Sequence, residues 1–123
     1  MRDARCPFCN LENVLAETTY FYIIRDRFPV NEGHTLAVLK RHEPSFLEIT
    51  RGEWQDLYDA ISLARDSIEA DYGAKGFNIG VNVGIAAGQT VPHVHLHIIP
   101  RYPGDCESPG GGVRKVKPPI VDY

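Results

Sequence analysis

The sequence is short of cysteine, of positive charge and of long apolar runs, and each shortage removes a class of function. Its 123 residues hold three cysteines, too few and too unevenly placed for a disulfide framework. The Cys-x-x-Cys spacing of Cys6 and Cys9 then reads as metal or redox chemistry. A formal net charge of −3 supplies no basic field of the kind that binds nucleic-acid polymers or acidic membranes, so any anionic ligand must be held locally. No apolar run approaches the roughly 18 residues of a spanning helix, and Met1-Arg2-Asp3-Ala4-Arg5 has no signal-peptide core. The expectation is a cytoplasmic protein with no membrane partner. Repeats, low-complexity tracts and charge blocks are also missing, and the length suits one domain over residues 1–123.

What is present is patterned. Trp54, Leu57, Ile61, Ala64 and Ile68 recur every three or four residues, which predicts one apolar stripe on a long helix. Thr50 and Glu53 have the spacing of a capping box at its start, and Gly73 and Gly76 supply its stop. A short helical turn is expected at 45–49, behind Pro44. β-branched and aromatic residues predict strands at 14–17, 20–25 and 34–39, and strict alternation predicts two more at 77–83 and 93–99. The segment 1–10 reads as a knuckle. From Pro100 onward the chain holds five of its nine prolines and four of its eleven glycines, so 100–123 is expected to be an irregular tail. The fold class is α+β, with a mostly antiparallel five-stranded sheet, one long helix and a short helical turn.

Three of the five histidines, His93, His95 and His97, alternate within the fifth strand. On a strand they would form a row about 13 to 14 Å long on one face, with Val94, Leu96 and Ile98 on the other. A row of imidazoles suits two chemistries. One is a catalytic metal held by a His-x-His pair, which wants further ligands and an open coordination position. The other is a nucleophilic imidazole, largely neutral at pH 7 and flanked by groups that steady charge on the substrate. Gly88-Gln89-Thr90, just before the strand, offers an amide, a hydroxyl and exposed backbone N–H groups, the equipment of a phosphate-binding turn, and this favours the nucleophile.

Gly33-His34-Thr35-Leu36 with Lys40-Arg41-His42, then Asn78-Ile79-Gly80-Val81-Asn82, and above all the run from Gly88 to Arg101 resemble the histidine triad superfamily of nucleotide hydrolases and transferases. Gly104-Asp105 and the stretch from Pro109 to Arg114 resemble its diadenosine-tetraphosphate-hydrolase-like branch. The resemblance implies the histidine triad fold and a two-step transfer in which His95 attacks the α-phosphorus of a nucleotide. His97, Gln89 and Thr90 would contact the phosphate oxygens and leaving group, with His34 as a supporting member. Asp26 would hold the ribose hydroxyls, Asn82 would sit on the phosphate side, and Phe8, Ile24 and Leu36 would line the base pocket. Substrates would be dinucleoside polyphosphates or nucleoside phosphoramidates, and the chain would form a homodimer. Relatives that carry the knuckle imply a structural zinc on Cys6, Cys9, His42 and His93, and no organic cofactor. Alternatives are a nucleotide phosphorylase or adenylylsulfate-type transferase, a nucleotide-binding module with little turnover, and the metal-dependent hydrolase. Cys106 has no role in the scheme.

Overall fold

Residues 3–121 are described by a computed structural model. The strands are β1 (Ala16–Glu17), β2 (Phe21–Arg25), β3 (Thr35–Leu39), β4 (Gly76–Gly80) and β5 (His95–Arg101), and the helix is α1 (Arg51–Tyr72). They form one sheet in the order β1-β2-β3-β5-β4, antiparallel throughout. The helical connection carries the chain from β3 to the far edge at β4, and β5 returns to fill the gap between them. The histidine strand is therefore central, with a partner on each side.

Period-2 alternation assigns the two faces. Phe21, Ile23, Ala37, Leu39, Val94, Leu96 and Ile98 point to one face, where Leu57, Ala60, Ala64 and Ile68 of α1 close the main core. Ile24, Leu36 and Val38 point to the other and are covered by Phe8 and Leu11. In register, His95 lies opposite Val38 and His97 opposite Leu36, so both imidazoles share this second face. The N-terminal segment covers only part of it, and what it leaves open is a cavity.

The capping box forms as expected: Glu53 N–H donates to Thr50 Oγ1 (3.1 Å), and Thr50 N–H to Glu53 Oε1 (2.8 Å). Gly73 ends α1 with φ of +66°. The predicted stripe needs one correction, because Trp54 is 60% exposed and Glu53 takes the inward position. Arg41 explains the exchange, since its guanidinium grips both Glu53 oxygens (2.7 and 3.0 Å) and ties the end of β3 to the start of α1. Trp54 instead rests edge-on against Phe46, in the short helical turn Phe46–Glu48 that the sequence places at 45–49.

Strand boundaries also differ: β1 starts only at Ala16, and β2, β3 and β4 start within one residue of their expected positions. The β4 ladder stops at Gly80, so 81–83 leave the sheet. β5 begins at His95, with His93 in the bend before it. It then runs through Pro100 and Arg101, into the stretch expected to be irregular from residue 100. Pro100 fits because its carbonyl, which accepts from Asn31 Nδ2 (3.1 Å), faces the side where β3 has already ended, and no N–H is needed there. A further short 3-10 segment, Gly112–Val116, kinked at Lys115, breaks the tail.

Gly33 delivers the chain into His34 with φ of +88°, and a Cβ there would lie 2.8 Å from Tyr72 Cδ2. Both the backbone and the contact require glycine. Gly33→Ala is expected to lower stability by about 1–3 kcal/mol, measured by urea unfolding; an unchanged midpoint would show that the turn relaxes freely.

Candidate active site and metal centre

The knuckle begins with backbone turns: Cys9 N–H donates to the Cys6 carbonyl (3.1 Å), and Asp3 N–H to Cys9 Sγ (3.2 Å). These present both sulfurs to His42, just past β3, and His93, just before β5. Cys6 Sγ lies 3.3 Å from His93 Nδ1, Cys9 Sγ 3.3 Å from His42 Nδ1 and 3.5 Å from His93 Nδ1, and the two Nδ1 atoms are 3.2 Å apart. A tetrahedral ion at zinc bond lengths would set sulfur–nitrogen edges of about 3.5 Å and a nitrogen–nitrogen edge of about 3.3 Å. The four residues could hold one metal ion. His93 is prepared for it, because its Nε2–H donates to the Leu39 carbonyl (2.6 Å) and so leaves the Nδ1 lone pair facing the sulfurs. Burial pushes the Cys6 thiol up and the His93 imidazole down.

His93 thus leaves the row, and its backbone serves the next histidine. His95 Nδ1 lies 2.7 Å from the His93 carbonyl oxygen, which can only accept. In the neutral ring the proton is on Nδ1 and the lone pair on Nε2.

A second chain of hydrogen bonds fixes His97. Val30 N–H donates to His34 Nδ1 (3.0 Å), so the proton of a neutral His34 is on Nε2. That nitrogen is 2.9 Å from His97 Nδ1 and 3.4 Å from Asp26 Oδ2. His34 donates to His97 Nδ1, and the proton of a neutral His97 is left on its own Nε2. Burial holds both rings neutral: desolvation lowers His34 against the pull of Asp26, and lowers His97 to about 4. Asp26, His34 and His97 also lie close enough to converge on an ion, but Val30 N–H keeps a proton on the His34 nitrogen that such an ion would need. Here the trio forms a hydrogen-bond chain.

His95 and His97 therefore present opposite faces of the same chemistry, an acceptor beside a donor, in a cavity of about 1020 Å³. Asp26, His34, Asn82 and Thr90 line it from the sequence-predicted set, and Phe8, Ile24 and Leu36 form apolar wall. Gln89 departs from its expected place. Its amide is spent inside the loop, accepting from Gly84 N–H (2.8 Å) and donating to the carbonyls of Pro44 (2.7 Å) and Val91 (3.1 Å). The cavity is lined at this turn by Gly88, Thr90 and Val91, but the expected exposed N–H groups are spent as well, because Gly88 N–H donates to the Ile85 carbonyl (2.9 Å) and Gln89 N–H to the Gly84 carbonyl (3.1 Å).

The sequence pattern of the HIT domain matches residues 10–104. The chain belongs to the HIT domain family. Among similar proteins, the asymmetrical bis(5'-nucleosyl)-tetraphosphatase of Schizosaccharomyces pombe is 42% identical over 77 residues, which are 63% of this chain and 42% of that one. The chain thus spans less than half the length of that relative. A HIT-like protein of Methanocaldococcus jannaschii is 40% identical over 110 residues, covering 83% of each chain. The crystal structure of a zinc-bound histidine triad family protein from Mycobacterium smegmatis superposes with a TM-score of 0.73 at 30% identity, covering 82% of this chain and 78% of that one.

Within this HIT chain, Cys6 and Cys9 precede the matched span, whereas His42 and His93 lie inside it. Sequence reasoning missed Val30, whose contribution is a backbone N–H and carries no side-chain signal. It also missed Asn10, Asn13 and Arg27 on the cavity wall, because nothing in an aperiodic segment says which sheet face it will cover.

The His97 shift gives a pH dependence with a definite sign. Unfolded, the ring takes up a proton near its ordinary 6.5; folded, only near 4. The unfolded chain binds more protons between these values, so stability falls as pH drops below 7 and this contribution levels off near pH 4. Urea unfolding at pH 7 and pH 5 is expected to show a smaller loss for His97→Gln than for the unaltered chain. Equal losses would mean that His97 titrates normally in the fold.

Proposed function

We propose that this chain is a nucleotide hydrolase or nucleotidyl transferase that works at an α-phosphate through a covalent bond to His95. Dinucleoside polyphosphates and nucleoside phosphoramidates are the proposed substrates. The observation that carries this reading is the bond from His95 Nδ1–H to the His93 carbonyl, which leaves Nε2 unprotonated on a ring that lines the cavity. The name of the fission-yeast relative, a tetraphosphatase acting on bis(5'-nucleosyl) substrates, supports the substrate class.

In the first step the Nε2 lone pair forms a P–N bond, the bond from phosphorus to the leaving group breaks, and its electron pair departs with that group. His97 Nε2–H stands as a neutral donor for the oxygen on which charge develops, supplemented by Thr90. Asp26 Oδ1 already accepts Phe28 N–H (2.8 Å), which fixes the carboxylate for two ribose hydroxyls. In the second step water attacks phosphorus, the P–N bond breaks, and His95 leaves as a neutral imidazole while the water proton passes to solvent.

Cys6, Cys9, His42 and His93 are proposed as ligands of a zinc ion that orders the knuckle. A Cys₂His₂ set leaves no open position, so the ion would supply cross-linking between the N-terminal segment, the end of β3 and the start of β5. The zinc-bound state of the mycobacterial relative supports the choice of metal.

His95→Asn is expected to abolish turnover and leave nucleotide binding within a fewfold, and mass spectrometry of the unaltered chain quenched during turnover should find a nucleotidyl adduct on His95. Full activity in the variant would sink the mechanism. For the metal, gently purified protein should contain zinc by elemental analysis, and chelation should lower Tm by about 10 °C or more before it reduces activity per folded molecule. A prompt, reversible loss of activity at unchanged Tm would instead mark a metal that takes part in the reaction.

A further inference from the structure

Phe8 sits between the two cysteines of the knuckle and beside the reactive imidazole. Its ring meets His93 edge-on (centroids 6.0 Å, planes at 85°) and His95 more closely (4.8 Å, 64°). Half-buried, it also packs on Ile24, Leu36 and Val38. The loop beneath it has little slack, because the Cys6 carbonyl accepts from Cys9 N–H and Asn10 Nδ2 (3.1 and 2.8 Å), and the Pro7 carbonyl from Asn10 N–H (3.3 Å). Whatever draws Cys6 and Cys9 to one point with His93 also sets where the Phe8 ring stands.

His95 needs such a neighbour. Its hydrogen bond to the His93 carbonyl fixes one nitrogen, but one bond leaves the ring free to tilt about it. Tilt is set by what the ring touches, and among the described residues two aromatic rings touch it: His97 (5.2 Å, 66°) and Phe8. Of the two, only Phe8 belongs to the metal-site loop. Edge-to-face contact holds a ring's orientation in a way that an aliphatic side chain of similar volume does not.

We infer that Phe8 is a positioning residue that holds the His95 ring in its attacking orientation, and that the four-residue metal centre acts on the site through it. Only the word attacking rests on the proposed function; the placement of the ring does not. A residue that merely walls the cavity would weaken substrate binding and raise KM, whereas a positioning residue lowers kcat.

Two variants of the full, metal-loaded chain separate these roles. Phe8→Leu keeps the apolar contact with Leu36 and Val38 but removes the ring, and Phe8→Tyr restores a ring edge. In ¹⁵N imidazole spectra the unaltered chain and Phe8→Tyr should show His95 as a single Nδ1–H tautomer, and Phe8→Leu an averaged signal with its metal still bound. Turnover of a dinucleoside tetraphosphate should fall roughly tenfold or more in kcat for Phe8→Leu, with KM changed less, and recover in Phe8→Tyr. With cobalt(II) in the metal centre, adding AMP should shift the visible bands of the unaltered chain and Phe8→Tyr, but not of Phe8→Leu. A Phe8→Leu protein with an unaltered His95 spectrum, or a loss confined to KM, would overturn the positioning role. AMP that binds without moving the cobalt bands of the unaltered chain would overturn the coupling. If AMP does not bind at all, the nucleotide reading fails, while the ¹⁵N spectra still decide the role of Phe8.

Discussion

A neutral imidazole has one proton for two nitrogens, and in this fold a backbone group decides where that proton goes. The Leu39 carbonyl takes it on Nε2 of His93, the His93 carbonyl takes it on Nδ1 of His95, and Val30 N–H forces it onto Nε2 of His34. His97 inherits its state from His34. Three of the choices need a main-chain atom at hydrogen-bond distance and the fourth follows from them, so the four tautomers are as fixed as the backbone that holds those atoms. The His93 lone pair then faces the cysteines and the His95 lone pair is left on Nε2, while His34 donates its Nε2–H to His97 Nδ1 and leaves His97 a donor on Nε2.

Under the proposed function, this arrangement gives a chain with net charge −3 neutral imidazoles as the groups that meet the phosphate. Arg25, on the cavity wall, is committed to Thr35, Ser67 and Asp71, and Arg27 is the other cationic side chain that lines the cavity. Neutral donors suit a reaction in which charge moves from one oxygen to another, because they need not lose a tightly held ion pair when the product departs.

Much of this was legible beforehand, for identifiable reasons. Strict alternation placed Val94, Leu96 and Ile98 in the core, and the Thr50 and Glu53 spacing located the start of α1 to the residue. Periodicity failed where a polar interaction outbid it: Glu53 displaced Trp54 from the buried stripe because Arg41 and the helix cap both need its carboxylate. The alternation of His93, His95 and His97 reads as one continuous strand, yet the chain bends at His93 and divides the row between the Cys6, Cys9 and His42 cluster and the cavity. Gln89 was expected on the phosphate because its residue type fits, but its three loop bonds depend on Pro44 and Gly84, whose approach no local pattern encodes. The cavity wall made by residues 7–15 was the least visible part, since an irregular segment packs by shape and not by period.

The order of the strands has a consequence for how the molecule comes into being. β5 is the last strand in the described chain, yet it lies between β3 and β4, which are formed from residues synthesised earlier. β5 meets β4 as its neighbour in sequence, but it meets β3 only across more than fifty residues. Such non-local pairing is slow, because loop closure must precede any contact that rewards it. The same insertion brings His93 to the cysteines and His95 and His97 to the cavity, so completing the sheet and arming it are one event.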